Sequence, residues 1–163
     1  VLPEHHGNRS PYADPGARGM VDGLTLDMSY AFFAKVYLAT VQAVAYGTRH
    51  IVDRMEGAGH RVDRVAVCGG GGKNEVWLQE HADALQRPLA TSEEPEAVML
   101  GAAILASVPG EHPSVREAQA HMCREGRKVE PNTSAGVKAY HEAKYQHQLS
   151  MYEQQLGRRG APA

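Results

Sequence analysis

Four consecutive glycines, Gly69 to Gly72, follow a short β-branched run and precede Lys73 and Asn74. Glycine reaches backbone conformations closed to other residues and lets a ligand come within contact distance of the chain. A helix starting at Asn74 would add unpaired N–H groups and the positive end of a dipole, so a phosphate or a nucleotide is the ligand class this pattern suits. The bland alternative is a structural turn, which needs the same residues. The familiar phosphate motifs fail residue by residue. A Walker loop ending at Gly72-Lys73 would need glycine at Val67 and Ser or Thr at Asn74. In the dinucleotide fingerprint GxGxxG, Gly69 and Gly71 would be followed by glycine where Asn74 stands, and Gly70 and Gly72 by glycine where Glu75 stands.

Other chemistry finds less support. The chain has nine histidines, but His141-Glu142 is followed by Tyr145 where HExxH needs histidine, and His5-His6 is only a neighbouring pair. No metal site follows from these spacings. Ser10 and Ser29 lack the GxSxG setting of an acyl-transfer nucleophile. Cys68 and Cys123 form no CxxC pair and are expected to be free thiols.

The elements that would position the glycines can be read from periodicity. Tyr37, Val41, Val44, Thr48, Ile51 and Met55 alternate at spacings of four and three, which predicts one face of a helix from about Ser29 to Gly57, stopped by Gly57 and Gly59. Val62 to Cys68 reads as a buried strand running into the glycines. Asn74 caps a helix to about Gln86, Pro88 to Thr91 reads as a short strand, and Pro95 opens a helix to about Ser107. Ser114 and Glu117 form a capping box for a helix to about Arg124, and a last helix is expected from about Ser134 to Leu156, followed by a frayed tail. The segment from Pro3 to Asp27 is rich in turn-forming residues and must gain its order by docking on a neighbouring surface. The order of elements describes one α/β domain with helices packed on a small sheet.

Composition agrees. At 163 residues, 42% hydrophobic, 22% charged and a formal net charge of −2, the chain is expected to be globular, with no clustered basic patch for nucleic acid. No apolar run approaches the roughly 18 residues of a membrane span, so no membrane partner is expected and the cytoplasm is the expected compartment. Val1 is not an initiator methionine, and Val1-Leu2-Pro3 reads as the interior of a longer chain.

The sequence Cys68-Gly-Gly-Gly-Gly-Lys-Asn74, then a helix, then Glu94-Pro-Glu-Ala-Val-Met-Leu-Gly-Ala-Ala103, resembles the adenosine motif and "connect" segment of FGGY carbohydrate kinases. His6-Gly7-Asn8-Arg9-Ser10-Pro11, Asp14-Pro15, Ala17-Arg18-Gly19-Met20 and Gly23-Leu24-Thr25 resemble the opening of that family's C-terminal domain. Tyr140 with Lys144-Tyr145 is similar to ribulokinase-like C-termini.

The resemblance implies an actin-like, ribonuclease H-like domain spanning residues 1–157, with 158–163 as a flexible tail. It implies ATP with Mg²⁺ as cofactors and a pentulose such as D-ribulose as the sugar partner; a homodimer is among the assemblies it allows. By the same resemblance Gly70 and Gly71 lie against the adenosine, Gly71 marks the place where a side chain would block it, Gly69 and Gly72 shape the turn, and Gly101 lets its helix pack closely on the sheet. Asn74 either reaches the base or ribose or serves only as a cap. Lys73 is expected in solvent, and Arg9 either faces the cleft or holds the loop by an ion pair. The family's catalytic aspartate and phosphate-binding DxGT loop precede the matching region, and none of Asp14, Asp22, Asp27, Asp53, Asp63 or Asp83 fits that motif. No catalytic residue is therefore expected here, and the chain alone should not transfer phosphate. The rival readings are a non-catalytic nucleotide-binding or interaction module and a purely structural domain with an empty turn.

Overall fold

The Ser29 hydroxyl accepts a hydrogen bond from the Phe32 amide at 3.2 Å and so caps the long helix α1, Tyr30–Gly57. The computed structural model describes residues 1–108 and 110–159. Beyond α1, Gly59 takes φ +89° and the chain turns into strand β1, Val65–Val67. A 3₁₀ turn at Gly70–Lys73 leads into α2, Glu75–Leu85, then β2, Leu89–Ser92. Helices α3, Ala97–Ser107, and α4, Val115–Met122, precede β3, Glu125–Val129, and the last helix α5, Ala135–Arg159.

The sheet has the order β1-β2-β3, with β1 parallel and β3 antiparallel to β2. Side chains alternate across it. Val67, Leu89 and Val129 pack with Leu78, Ala82 and Leu85 of α2 and Val52 of α1 into the main core. Ala66 and Ala90 point to the opposite face, toward α3 and α4, where a cavity of about 580 Å³ separates sheet from helices. Gly101 borders that cavity with nothing within 4 Å of a Cβ built on it, so the expected close packing of α3 on the sheet does not occur there.

Two expectations are corrected. The inward face of α1 carries Val41, Gln42, Ala45, Tyr46 and Val52, whereas Tyr37, Val44 and Met55 are exposed. Gln42, only 2% exposed, is satisfied by Glu80 through its amide nitrogen and by Lys144 and Tyr140 through its oxygen. A polar group so satisfied can sit inside, which is why hydrophobic spacing alone rotates the stripe. Strand β3 has no counterpart in the sequence reading, since Glu125-Gly-Arg-Lys-Val129 buries only its final valine. Gly126 explains its placement: a Cβ there would lie 2.8 Å from the Ser92 carbonyl oxygen, so glycine permits β3 to approach the end of β2.

Smaller shifts concern element ends. β1 starts at Val65 because the Val62 carbonyl accepts from Arg87 Nε at 2.7 Å instead of a ladder partner. Helix α5 continues through Arg159, and residues 160–163 of the expected tail lie outside the described residues. The N-terminal segment does dock: Leu2 and Ala17 are buried against Met151 and Tyr152 of α5, and the Gln155 side chain bonds both backbone groups of Arg18. No helix among the described residues is long and apolar enough to cross a membrane.

Candidate functional site

Gly69 leaves β1 with φ 87° and ψ −166°, a region essentially reserved for glycine, and starts the 3₁₀ turn. The Gly72 amide donates to the Gly69 carbonyl at 3.1 Å, and the Asn74 amide to the Gly71 carbonyl at 3.1 Å. The N–H groups of Gly70 and Gly71 find no acceptor among the described residues. Together with the start of α2, they form a pair of uncommitted donors at a positive helix end.

The four glycines differ in what they tolerate. Of the four, only Gly69 takes positive φ. A Cβ on Gly71 would lie 3.2 Å from Trp77 Cε2, while one on Gly70 would meet nothing within 4 Å. At Gly72 the nearest atom, Val67 Cγ1, is 3.6 Å away, an ordinary contact. The chain's own packing thus gives no reason for glycine at position 70.

Asn74 caps α2 through Oδ1, which accepts from the Trp77 amide at 3.1 Å, and its Nδ2 donates to the Tyr37 hydroxyl at 2.9 Å. Tyr37, which periodicity places on the core face, is instead exposed, as are Tyr30 and Phe33 on the same helix, and no local pattern in the sequence ties it to Asn74. Lys73 is exposed and sits 3.4 Å from Glu96. Arg9 is exposed and makes no ion pair among the described residues.

Beside the turn lies a small cavity of about 90 Å³, bounded by Gly69, Gly72, Lys73, Thr91 and Pro95. It shares Val67, Cys68, Thr91 and Ser92 with the larger space beneath α3, which Cys123 also lines; both cysteines are free. No aspartate lines either cavity. Asp27 and Asp83 instead accept backbone amides, Asp53 accepts the Tyr145 hydroxyl, and Asp63 pairs with Arg61. Among the described residues, no cluster of three or more His, Cys, Asp or Glu side chains is arranged to hold a metal ion.

Residues 1–109 match the C-terminal domain of the FGGY family of carbohydrate kinases. The chain belongs to the FGGY family. A human FGGY carbohydrate kinase domain-containing protein is 46% identical over 156 residues, covering 95% of this chain and 28% of that protein. A ribulokinase from Mycolicibacterium smegmatis is 38% identical over 123 residues, covering 75% of this chain and 21% of that protein. Glycerol kinases also match. Among solved structures, xylulose kinase from Rhodospirillum rubrum superposes with a TM-score of 0.72 at 27% identity, over 94% of this chain and 30% of that one. The chain thus spans less than a third of the length of these FGGY relatives, and its helix-rich architecture on a small mixed sheet is the actin-like fold of FGGY kinases.

Proposed function

We propose that residues 1–157 supply the adenosine site of an ATP-dependent kinase that phosphorylates a hydroxyl of a small sugar. The observation that carries this reading is the pair of uncommitted N–H groups at Gly70 and Gly71, in a turn where a Cβ at position 70 would meet nothing within 4 Å. Acceptor atoms of a nucleotide would satisfy those donors, and a bare backbone would let them approach. Gly69 and Gly72 hold the turn, and Asn74 ties it to α2.

Mg²⁺ enters this reading on the phosphates of ATP, where it neutralises charge during transfer. The His6–Pro11 wording and the ribulokinase relative support a pentulose such as D-ribulose as acceptor. By the family resemblance the general base and the phosphate loop belong to parts of the kinase outside these residues, in keeping with the absence of aspartate from both cavities beside the turn. The cytoplasm, with its ATP and small sugars, is the compartment this function suits.

The chain alone is expected to show no ATP turnover with D-ribulose above the enzyme-free rate, and the full-length protein to show it. Turnover by the chain alone would contradict the division of labour. A full-length protein that prefers glycerol to every ketopentose removes the pentulose and leaves the kinase. One that binds ATP but phosphorylates no sugar makes the domain a non-catalytic nucleotide module.

A further inference from the structure

The two polar ends of the Asn74 amide are both fixed, and the second is fixed by a residue from a distant helix. The Trp77 N–H needs an acceptor, which assigns Oδ1 to the cap and leaves Nδ2 facing the Tyr37 hydroxyl at 2.9 Å. Tyr37 is 54% exposed and its hydroxyl donates to no group among the described residues. A primary amide has two N–H donors, and Asn74 uses one. Beside the free N–H groups of Gly70 and Gly71 there are therefore two more unspent donors, the Tyr37 O–H and the second Asn74 N–H, locked to each other by one hydrogen bond.

We propose that Tyr37 is a positioning residue for the nucleoside. Its hydroxyl sets the plane of the Asn74 amide, and the two side chains together present an edge of two donors to acceptor atoms on the base or ribose. This rests on the adenosine reading of the glycine turn. It makes Asn74 both a cap and a recognition group, two roles that a single amide can fill at once because the cap uses only its oxygen.

Three variants of the full-length protein test it: Tyr37→Phe, Asn74→Ser and the double variant. Serine caps a helix as well as asparagine but has no amide to donate, and phenylalanine keeps the ring while removing the hydroxyl. Each single change is expected to raise the KM for ATP about five- to tenfold, the loss of roughly one hydrogen bond. The kcat, the sugar KM and Tm should stay near wild type. Because the pair acts as a unit, the double variant should be no worse than the weaker single variant.

A Tyr37→Phe protein with its ATP KM within twofold of wild type overturns the inference, as does a double variant whose losses multiply. A role confined to folding would appear as a lowered Tm with an unchanged ATP KM, and this also overturns it. Gly70→Val separates the two levels of the argument. If it raises the ATP KM while Tyr37→Phe does not, only the positioning role falls. If neither does, the adenosine site falls with it.

Discussion

Gly70→Val in the full-length protein is expected to raise the KM for ATP at least tenfold, while leaving the unfolding free energy within about 0.5 kcal/mol of wild type. The stability half of this expectation comes from geometry. A Cβ at position 70 meets nothing within 4 Å, and the residue is not in the left-handed region that penalises side chains. The affinity half comes from the ligand, whose approach to the bare backbone the valine methyls would block. Sugar KM should change little.

The neighbouring glycines make poorer probes, and the structure says why. Gly69→Ala would force a side chain onto φ 87°, ψ −166° at a cost of about 1–3 kcal/mol, so lost binding there could reflect a distorted turn. Gly71→Val would press on the Trp77 ring, 3.2 Å from its first added atom, and mix packing with ligand effects. Lys73→Ala is the control: its ammonium faces Glu96 across an exposed 3.4 Å pair, and a change under threefold, within about 0.6 kcal/mol, is expected. A Gly70→Val protein with unchanged ATP KM, or a larger defect in Lys73→Ala, would place the nucleotide elsewhere.

The second large effect is on stability and concerns His81, which lies on the same helix that the glycine turn opens. His81 is 2% exposed, stacks on Trp77 at 3.5 Å between ring centroids, and uses Nδ1 to bond the Trp77 carbonyl at 2.8 Å. Its Nε2 is buried with no partner among the described residues. Burial therefore disfavours the imidazolium and pushes the folded-state pKa from 6.5 down to about 4, against the weaker raising effect of the Trp77 bond.

The sign follows from linkage. Above pH 6.5 both states are neutral and stability is complete. As pH falls below that value the unfolded chain takes up a proton that the folded chain refuses, and stability is lost until the folded pKa near 4 is reached. At 1.36 kcal/mol for each unit, the loss over the window is on the order of 3 kcal/mol. Burial lowers His50 and His141 as well, so their contributions have the same direction. Urea unfolding of this chain at pH 7 and pH 5 should show the decline, and His81→Phe should flatten the part that belongs to this site. Equal pH dependence in the variant and the wild type would mean that His81 is not buried neutral.

Much of this architecture could be read from the sequence, because its signals are local. The Ser29, Asn74 and Ser114 caps lie where helices begin, and the glycine run lies where β1 ends. What escaped reading depends on partners far along the chain. Strand β3 forms because Gly126 admits the Ser92 carbonyl, a contact across 34 positions that no local pattern encodes. The inward stripe of α1 departs from the apolar spacing because Gln42 and Tyr46 look like surface residues until Glu80, Lys144 and His141 satisfy them. Within the site, the family resemblance assigns Gly69 and Gly72 to the turn and Gly70 and Gly71 to the ligand, but the side chains each position would tolerate were not legible. Backbone angles and the Trp77 ring decide those, and Tyr37 reaches Asn74 from another helix.

The most direct measurement follows the Gly70 and Gly71 amide resonances of the 163-residue chain while ADP is added. If these two N–H groups receive the nucleotide, both should shift saturably with a common dissociation constant, together with Asn74, and Gly70→Val should abolish the change. Saturable shifts confined to other residues, or none at either glycine, would contradict the assignment of the nucleotide to this turn.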